Sequence, residues 1–335
     1  MAMQPPQNLS APSDAARTAP RGLPAATLGM AFVLLWCSGY PAAKIALTHG
    51  APFTLLTLRF ACAGLIWTIL ALSASAWPRG RAAWHSAVVG ALSLALQFGG
   101  VYLSVALGVN IGITALVIGT MPIVTALMGL SLGEAVRPLQ WFGFALGFGG
   151  VALAVGERIG AGGDGAGLGA YLALFAGLIG VSAGTLYQKR HASAVDLRAG
   201  LAVQHLVAAL LLLPLALYEG LRLDGSAALG LSVGWMVTVN SLLAFALFFV
   251  LLRRGAVNQV ATLFFLMPPV TAVVDYLVLG DPLSVQQLAG LALAAGGVYL
   301  ATRPPPAPPA PAPAAPPALS RPRAAIPQSC RAPGG

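Results

Sequence analysis

"MPIVTALMGLSLGE" (Met121–Glu134) and "MPPVTAVVDYLVLGD" (Met267–Asp281) are two versions of one segment, the second carrying a single inserted residue. The match continues past their ends. Gln140, Gly143, Ala145, Leu146, Gly149, Gly150, Val151, Leu153 and Ala154 recur as Gln287, Gly290, Ala292, Leu293, Gly296, Gly297, Val298, Leu300 and Ala301, every pair 147 positions apart. A run of that length containing Pro, Thr, Gln, Gly and an acid is not a coincidence between two apolar stretches. The chain is an internal duplication.

Composition says what the repeated unit is made of. Of 335 residues, 58% are apolar and 8% charged, with a mean hydropathy of +0.83. A soluble domain carries roughly a quarter charged residues, so this chain cannot cover a water-facing surface, and its solvent is lipid. A spanning helix needs about 20 mostly apolar residues. Segments near 25–46, 53–73, 86–106, 110–131, 139–156, 167–188, 199–218, 229–251, 257–279 and 285–302 qualify. The expected fold is therefore an all-α membrane protein of about ten transmembrane helices, five to each repeat. An odd number per repeat makes the second copy enter the membrane from the opposite side. Such inverted pairs recur in secondary transporters, with a site at the repeat interface. Duplication kept only for stability is the plainer alternative.

Charge distribution orients the chain. With both termini cytoplasmic, 14 of the 18 basic residues fall in inside loops and tails. Arg158 and Arg222 are left outside, and Lys44 and Arg59 lie within helices. Lys and Arg are enriched in cytoplasmic loops, and a missed helix would scramble that pattern. The net charge of +9 thus reflects topology and anionic lipid headgroups rather than nucleic acid. Residues 1–24 read as a disordered cytoplasmic N-terminus, 25–156 and 167–302 as the two repeats, and 303–335 as a Pro/Ala-rich disordered cytoplasmic tail. The Arg-heavy, Ala/Gly-rich usage suits a bacterial genome, which implies a multi-pass inner-membrane protein. Cys37, Cys62 and Cys330 form no disulfide or metal pattern.

These segments also resemble the drug/metabolite transporter superfamily, and within it the EamA-type permeases. "LLWCSGYPAAKIAL" resembles the family's first-helix pattern of Trp, small residues and a late Lys, and "LRFACAGL" its second-helix Arg motif. The Pro before an apolar run ending in "LGE", and "LMPPVTAVVDYLVLGD" in the second half, complete the likeness. Three departures stand out: Cys37 replaces the usual Gly, Asp281 the usual Glu, and Asp275 lies in a helix that is normally apolar. The resemblance implies efflux or uptake of small metabolites such as amino acids.

Ionisable groups inside a membrane cost about 2.5–3.5 kcal/mol each on insertion scales and are functional candidates by default. Here they are Lys44, Arg59, His205 and Asp275, with Glu134 and Asp281 at helix ends. Topology brings Lys44, Arg59 and Asp275 toward the outer ends of their helices, where Asp275 can pair with Lys44 or Arg59 as a gate. The repeat maps Arg59 close to His205, and Lys44 onto Lys189–His191 near the cytoplasm. The plainer reading has Lys44 and Arg59 snorkelling to headgroups and His205 hydrogen-bonded in the packing. Pro122, Pro268 and Pro269 mark matching kinks. Trp36, Tyr40, Gln97, Tyr102, Tyr187 and Asn240 are candidates for a cavity lining. Gly143/Gly147 and Gly180/Gly184 have the spacing of close helix packing, within the chain or in a homodimer.

No phosphate loop, HExxH pair or GxSxG elbow is present in the sequence. No cofactor or metal is expected, and an intramembrane enzyme acting on lipid has no nucleophile–base cluster to use. The expected function is a secondary transporter of a small metabolite by alternating access, acting in efflux. The competing reading is a membrane sensor or scaffold that signals through its Pro-rich tail.

Overall fold

Proline positions decide where these helices bend. The structure is a computed structural model, and it describes residues 25–131, 133, 136–160, 166–253, 267–280 and 284–302. Glu134, Asp281, the side chain of Pro268 and the segments 1–24 and 303–335 lie outside the described residues. Helices α1 (Ala25–Cys37) and α2 (Gly39–Leu47) form one span broken at Ser38. Pro41 has no N–H to offer the Cys37 carbonyl one turn back, so the ladder opens there. Pro122 does the same between α6 (Ile111–Gly119) and α7 (Met121–Leu130), which part at Thr120.

The remaining spans are α3 (Pro52–Ser73), then α4 (Arg81–Val89) running through a π-helical segment, Gly90–Leu96, into α5 (Gln97–Ala106). After them come α8 (Pro138–Gly160), α9 (Leu168–Tyr187) with a π-helical end at Gln188–Ala192, and α10 (Leu197–Tyr218). Helix α11 (Ala227–Trp235) passes through a second π-helical segment, Met236–Ala244, into α12 (Phe245–Arg253). Helices α13 (Met267–Leu279) and α14 (Val285–Thr302) close the described chain. The third span begins at Arg81 rather than 86, and the sixth reaches Ala192 rather than 188. In both cases charged residues, Arg81 at one end and Lys189 and Arg190 at the other, are carried into helix where an apolar-run criterion would stop.

Among the described residues every regular element is helical, and seven helices are long and apolar enough to cross a membrane. Pro138–Ala154, Pro269–Leu279 and Val285–Ala301 are shorter apolar helices. Leucines such as Leu65, Leu168, Leu210 and Leu231 are exposed on the outer surface while Thr114, Ser182, Gln97 and His205 are buried. That inside-out polarity fits a lipid solvent.

Lipid gives helices no hydrophobic reason to associate, so small residues must let their backbones approach closely. Helices α8 and α14 make the most extensive pairing. A Cβ on Gly143 would sit 2.7 Å from the Gly297 carbonyl, and one on Gly150 2.5 Å from the Gly290 carbonyl. Since 143/290 and 150/297 are repeat-related, each contact is the other's counterpart. The Gln140 amide donates to Ala301 O at 2.8 Å, and Gln286 donates to Leu153 O at 2.9 Å. At the helix starts Gln140 Oε1 accepts from Arg137 N and Gln287 Oε1 from Ser284 N, both at 3.0 Å. Helix α3 packs along α10, and α5 along α9.

One mouth of the bundle is tied across the repeats. Ala51 has no side chain to cap α3, so Glu219 at the end of α10 does it, accepting from Phe53 N at 3.0 Å and Thr54 N at 3.1 Å. Beside it Gly50 bridges Leu223, Ala51 N donates to Arg222 O at 3.0 Å, and Asp224 N donates to His49 O at 3.0 Å. The Asp224 carboxyl accepts from Ser226 N and meets the His49 ring at 2.5 Å. Those contacts hold its pKa at about 2, below the ordinary 3.8.

Two outcomes are expected in thermal unfolding of the detergent-purified protein. Gly150→Ala should lower the transition by several degrees, since overpacking costs ~1–3 kcal/mol. Gly149→Ala, with nothing within 4 Å of its Cβ, should leave or raise it. A depressed carboxyl pKa gives stabilisation that is complete above the unfolded value and lost as pH falls through the folded one. The small gap between wild type and Asp224→Asn should therefore persist at neutral pH and close between pH 3.8 and about 2.

Candidate functional site

The opening at Ser38 leaves carbonyls that a membrane interior cannot hydrate, and they must find protein partners. Asn240 supplies one: its Nδ2 donates to Leu35 O at 2.7 Å and Trp36 O at 3.3 Å. Ser38 Oγ donates to Leu35 O at 2.7 Å and accepts from Trp235 Nε1 at 3.0 Å. Asn240 can come this close because Gly39 faces it, where a Cβ would lie 2.8 Å from Nδ2. The first repeat has a counterpart. Ser93, 147 positions before Asn240 and inside the first π-helical segment, abuts Gly184, whose Cβ would run into the serine Oγ. π-helical turns are rare and gather at functional sites. Here they swell the two helices that face the broken span and its repeat equivalent.

Beside the break lies a cavity lined by Trp36, Gly39, Tyr40, Ala43, Arg59, Gln97, Phe98, Val101, Tyr102, Asn240 and Phe245. Spans one, two, three and eight all contribute to its wall. Trp36, Tyr40, Gln97, Tyr102 and Asn240 are brought together there. Tyr187 is not: its hydroxyl meets His85 Nδ1 at 2.8 Å and its ring stacks on His191 at 4.5 Å, in a separate aromatic cluster. Tyr187 ends its helix on the side facing α4, a direction that spacing alone does not give.

Arg59 stands at the cavity wall, 4% exposed. Its Nε donates to Ser241 Oγ at 3.1 Å and its Nη1 to Tyr102 Oη at 3.2 Å. The guanidinium lies 4.8 Å from the Phe98 ring centre and 5.6 Å from that of Phe60. Tyr102 passes its own proton to Met236 Sδ at 2.7 Å, and Trp67 Nε1 donates to Ser241 O at 2.9 Å. The expected Arg59–Asp275 pair is thus not formed; Arg59 turns to hydroxyls and aromatic faces across the bundle. Asp275 is buried in α13, which packs against α2, and Lys44 occupies the half-buried last turn of α2.

His205 is buried between Phe60 and Phe245, ring centres 5.7 and 6.0 Å away. Its Nδ1 donates to Leu201 O at 2.8 Å, one turn back. Pro122 starts α7 after the Thr120 break, and Pro269 lies half-buried in the first turn of α13. Glu134 and Asp281 are outside the described residues. Ser241, Phe98 and Phe245 were not among the candidates. Ser241 and Phe98 are the sequence neighbours of the candidates Asn240 and Gln97.

Comparison with known proteins bears on all of this. The sequence profile of the EamA-like transporter family matches residues 23–156 and again 167–303. The "uncharacterized inner membrane transporter YedA" of Escherichia coli strain K12 is 29% identical over 275 residues, covering 81% of this chain and 86% of that one. The "uncharacterized transporter YvbV" of Bacillus subtilis strain 168 is 27% identical over 278 residues, covering 80% and 88%. A crystal structure 22% identical in sequence superposes with a TM-score of 0.60 over 83% of this chain and 96% of its own, a likeness of fold.

The Gly39–Asn240 contact predicts coupled substitutions. Gly39→Ala pushes on the amide and Asn240→Ala removes its two hydrogen bonds, so each should destabilise the protein. The double variant should lose less than their sum by about 0.5 kcal/mol or more. Unfolding of the four proteins in one detergent measures this, and strict additivity would contradict the contact.

Proposed function

The chain belongs to the EamA-like transporter family of the drug/metabolite transporter superfamily, and from that premise we propose that it is a secondary carrier for a small metabolite such as an amino acid. It works by alternating access, in efflux, without a cofactor. Its setting is the bacterial inner membrane, as in the name of the Escherichia coli relative. It has ten spans in two inverted five-helix repeats, residues 25–156 and 167–302, with both termini cytoplasmic.

The observation that carries this reading is the cavity beside the Ser38 break. It lies where first-repeat helices meet Asn240 and Phe245 of the second, and its wall mixes aromatic faces with a cation and amides. The reciprocal Gly143–Gly297 and Gly150–Gly290 contacts and the paired π-helical segments support a two-fold relation between the halves. Two such halves can rock about their shared seam, presenting the cavity to either side in turn. In this reading Lys44 and Asp275, on packed helices, serve as gating charges, with Glu134 and Asp281 at helix ends near the two mouths and Pro122, Pro268 and Pro269 as hinges.

Accumulation of a pooled set of labelled amino acids and related metabolites, in cells with and without the protein, tests this function. Expression should lower retention of a specific subset. Asp275→Asn should slow that efflux roughly tenfold, the loss of a charged hydrogen bond of ~1.5 kcal/mol, at unchanged membrane insertion. Wild-type rates in Asp275→Asn would remove Asp275 from the mechanism, and no difference across the pool would count against the carrier.

A further inference from the structure

The chemistry of the cavity wall narrows what fits inside it. Arg59 carries a planar guanidinium cation, and in a buried site that charge calls for an opposite one. Among the described residues its hydrogen bonds go to two neutral hydroxyls, Ser241 and Tyr102, and its flat faces meet Phe98 and Phe60. Ring faces and hydroxyls soften the desolvation of a guanidinium without neutralising it. Two of its five N–H donors are engaged in these bonds. The Tyr102 proton is held by Met236, so what remains open to an anion at this wall is the unengaged part of the guanidinium itself.

The same wall holds a second orphan. Asn240 Oδ1 is buried without a hydrogen-bond partner, and Asn240 lines the cavity. The amide cannot simply flip to hide it, because Nδ2 is committed to the carbonyls of Leu35 and Trp36. The wall therefore offers a permanent cation and, from the residue next to Ser241, a fixed acceptor. The rest of the lining is Trp36, Phe98, Phe245 and small apolar residues.

We propose that Arg59 is the specificity residue for a carboxylate on the carried molecule, with Asn240 Oδ1 taking an N–H donor and the aromatic wall holding an apolar body. This inference rests on the carrier reading for transport, while the binding it describes can be measured without flux. A planar guanidinium grips a carboxylate through two parallel hydrogen bonds, which a neutral amide of the same shape cannot accept with equal strength. Asn240 distinguishes ligands bearing an amino group next to the acid from those without one. The aromatic wall discriminates by bulk alone.

The test is thermal unfolding and tryptophan fluorescence of the purified full chain in detergent, titrated with matched pairs. The probes are phenylalanine, tryptophan, leucine and 3-phenylpropanoate, each beside its primary amide. At least one acid should bind about tenfold or more tighter than its amide, as expected for a hydrogen bond to a charged group. Phenylalanine should exceed 3-phenylpropanoate, and Asn240→Ala should erase that difference. Arg59→Gln should abolish the preference for acid over amide, while Arg59→Lys should keep part of it. If no acid in the panel outbinds its amide in the wild-type protein, the proposal is overturned, whatever the variants do. Proteoliposome flux separates the two readings: acid-selective binding without flux defeats the carrier and leaves the site, whereas flux of amide and acid alike defeats the site and leaves the carrier.

Discussion

Every interruption of a helix in lipid exposes N–H or C=O groups that water cannot reach, and this requirement organises the interior of the protein. At Ser38 the carbonyls of Leu35 and Trp36 draw Asn240 across from the eighth span. At Thr120 the hydroxyl turns back onto Val117 O at 2.6 Å. In the π-helical segment at Met236–Ala244, the Ser241 carbonyl is taken by Trp67. Asn240, which satisfies the broken backbone of α1, also walls the cavity. Structural repair and the lining of the chamber meet in that one residue.

The same economy explains why Arg59 can be buried. Its partners come from two other helices, with Ser241 and Tyr102 giving oxygens and Phe98 a ring face. Each partner is itself anchored, Tyr102 to Met236 and the backbone of Ser241 to Trp67. The cation is therefore positioned by a network rather than by one counter-ion. A single carboxylate would fix it more strongly, but would also occupy the face it turns to the cavity.

Much of this was legible in the sequence. The duplication, the lipid solvent and the lining residues Trp36, Tyr40, Gln97, Tyr102 and Asn240 follow from a repeat and from polar groups in apolar runs. Two kinds of feature were not. The direction of Tyr187 depends on which face of α9 packs against α4, where its hydroxyl meets His85, and composition carries no signal of that packing. The partners of Arg59 depend on rotamers across three helices, so charge counting suggested Asp275 where the geometry chose hydroxyls. Close approach was half visible: Gly143/Gly147 and Gly180/Gly184 declared seams, but only the contacts of Gly143 with Gly297 and of Gly184 with Ser93 identified their other sides.

The Glu219 cap on α3 has a bearing on symmetry. The residue 147 positions earlier is Leu72, exposed and apolar, and the start of α10, the counterpart of the start of α3, is capped from within its own half by Asp196. For a carrier built from two equivalent halves, perfect symmetry would make the two facing states equal in free energy. In such a carrier, a contact that ties the halves at one mouth and has no twin at the other would tilt that balance toward one facing state. Such a tilt would lower the apparent affinity on the less populated side in proportion to its occupancy. It would not drive net movement, because a contact broken in one half of a cycle is remade in the other; direction would have to come from gradients.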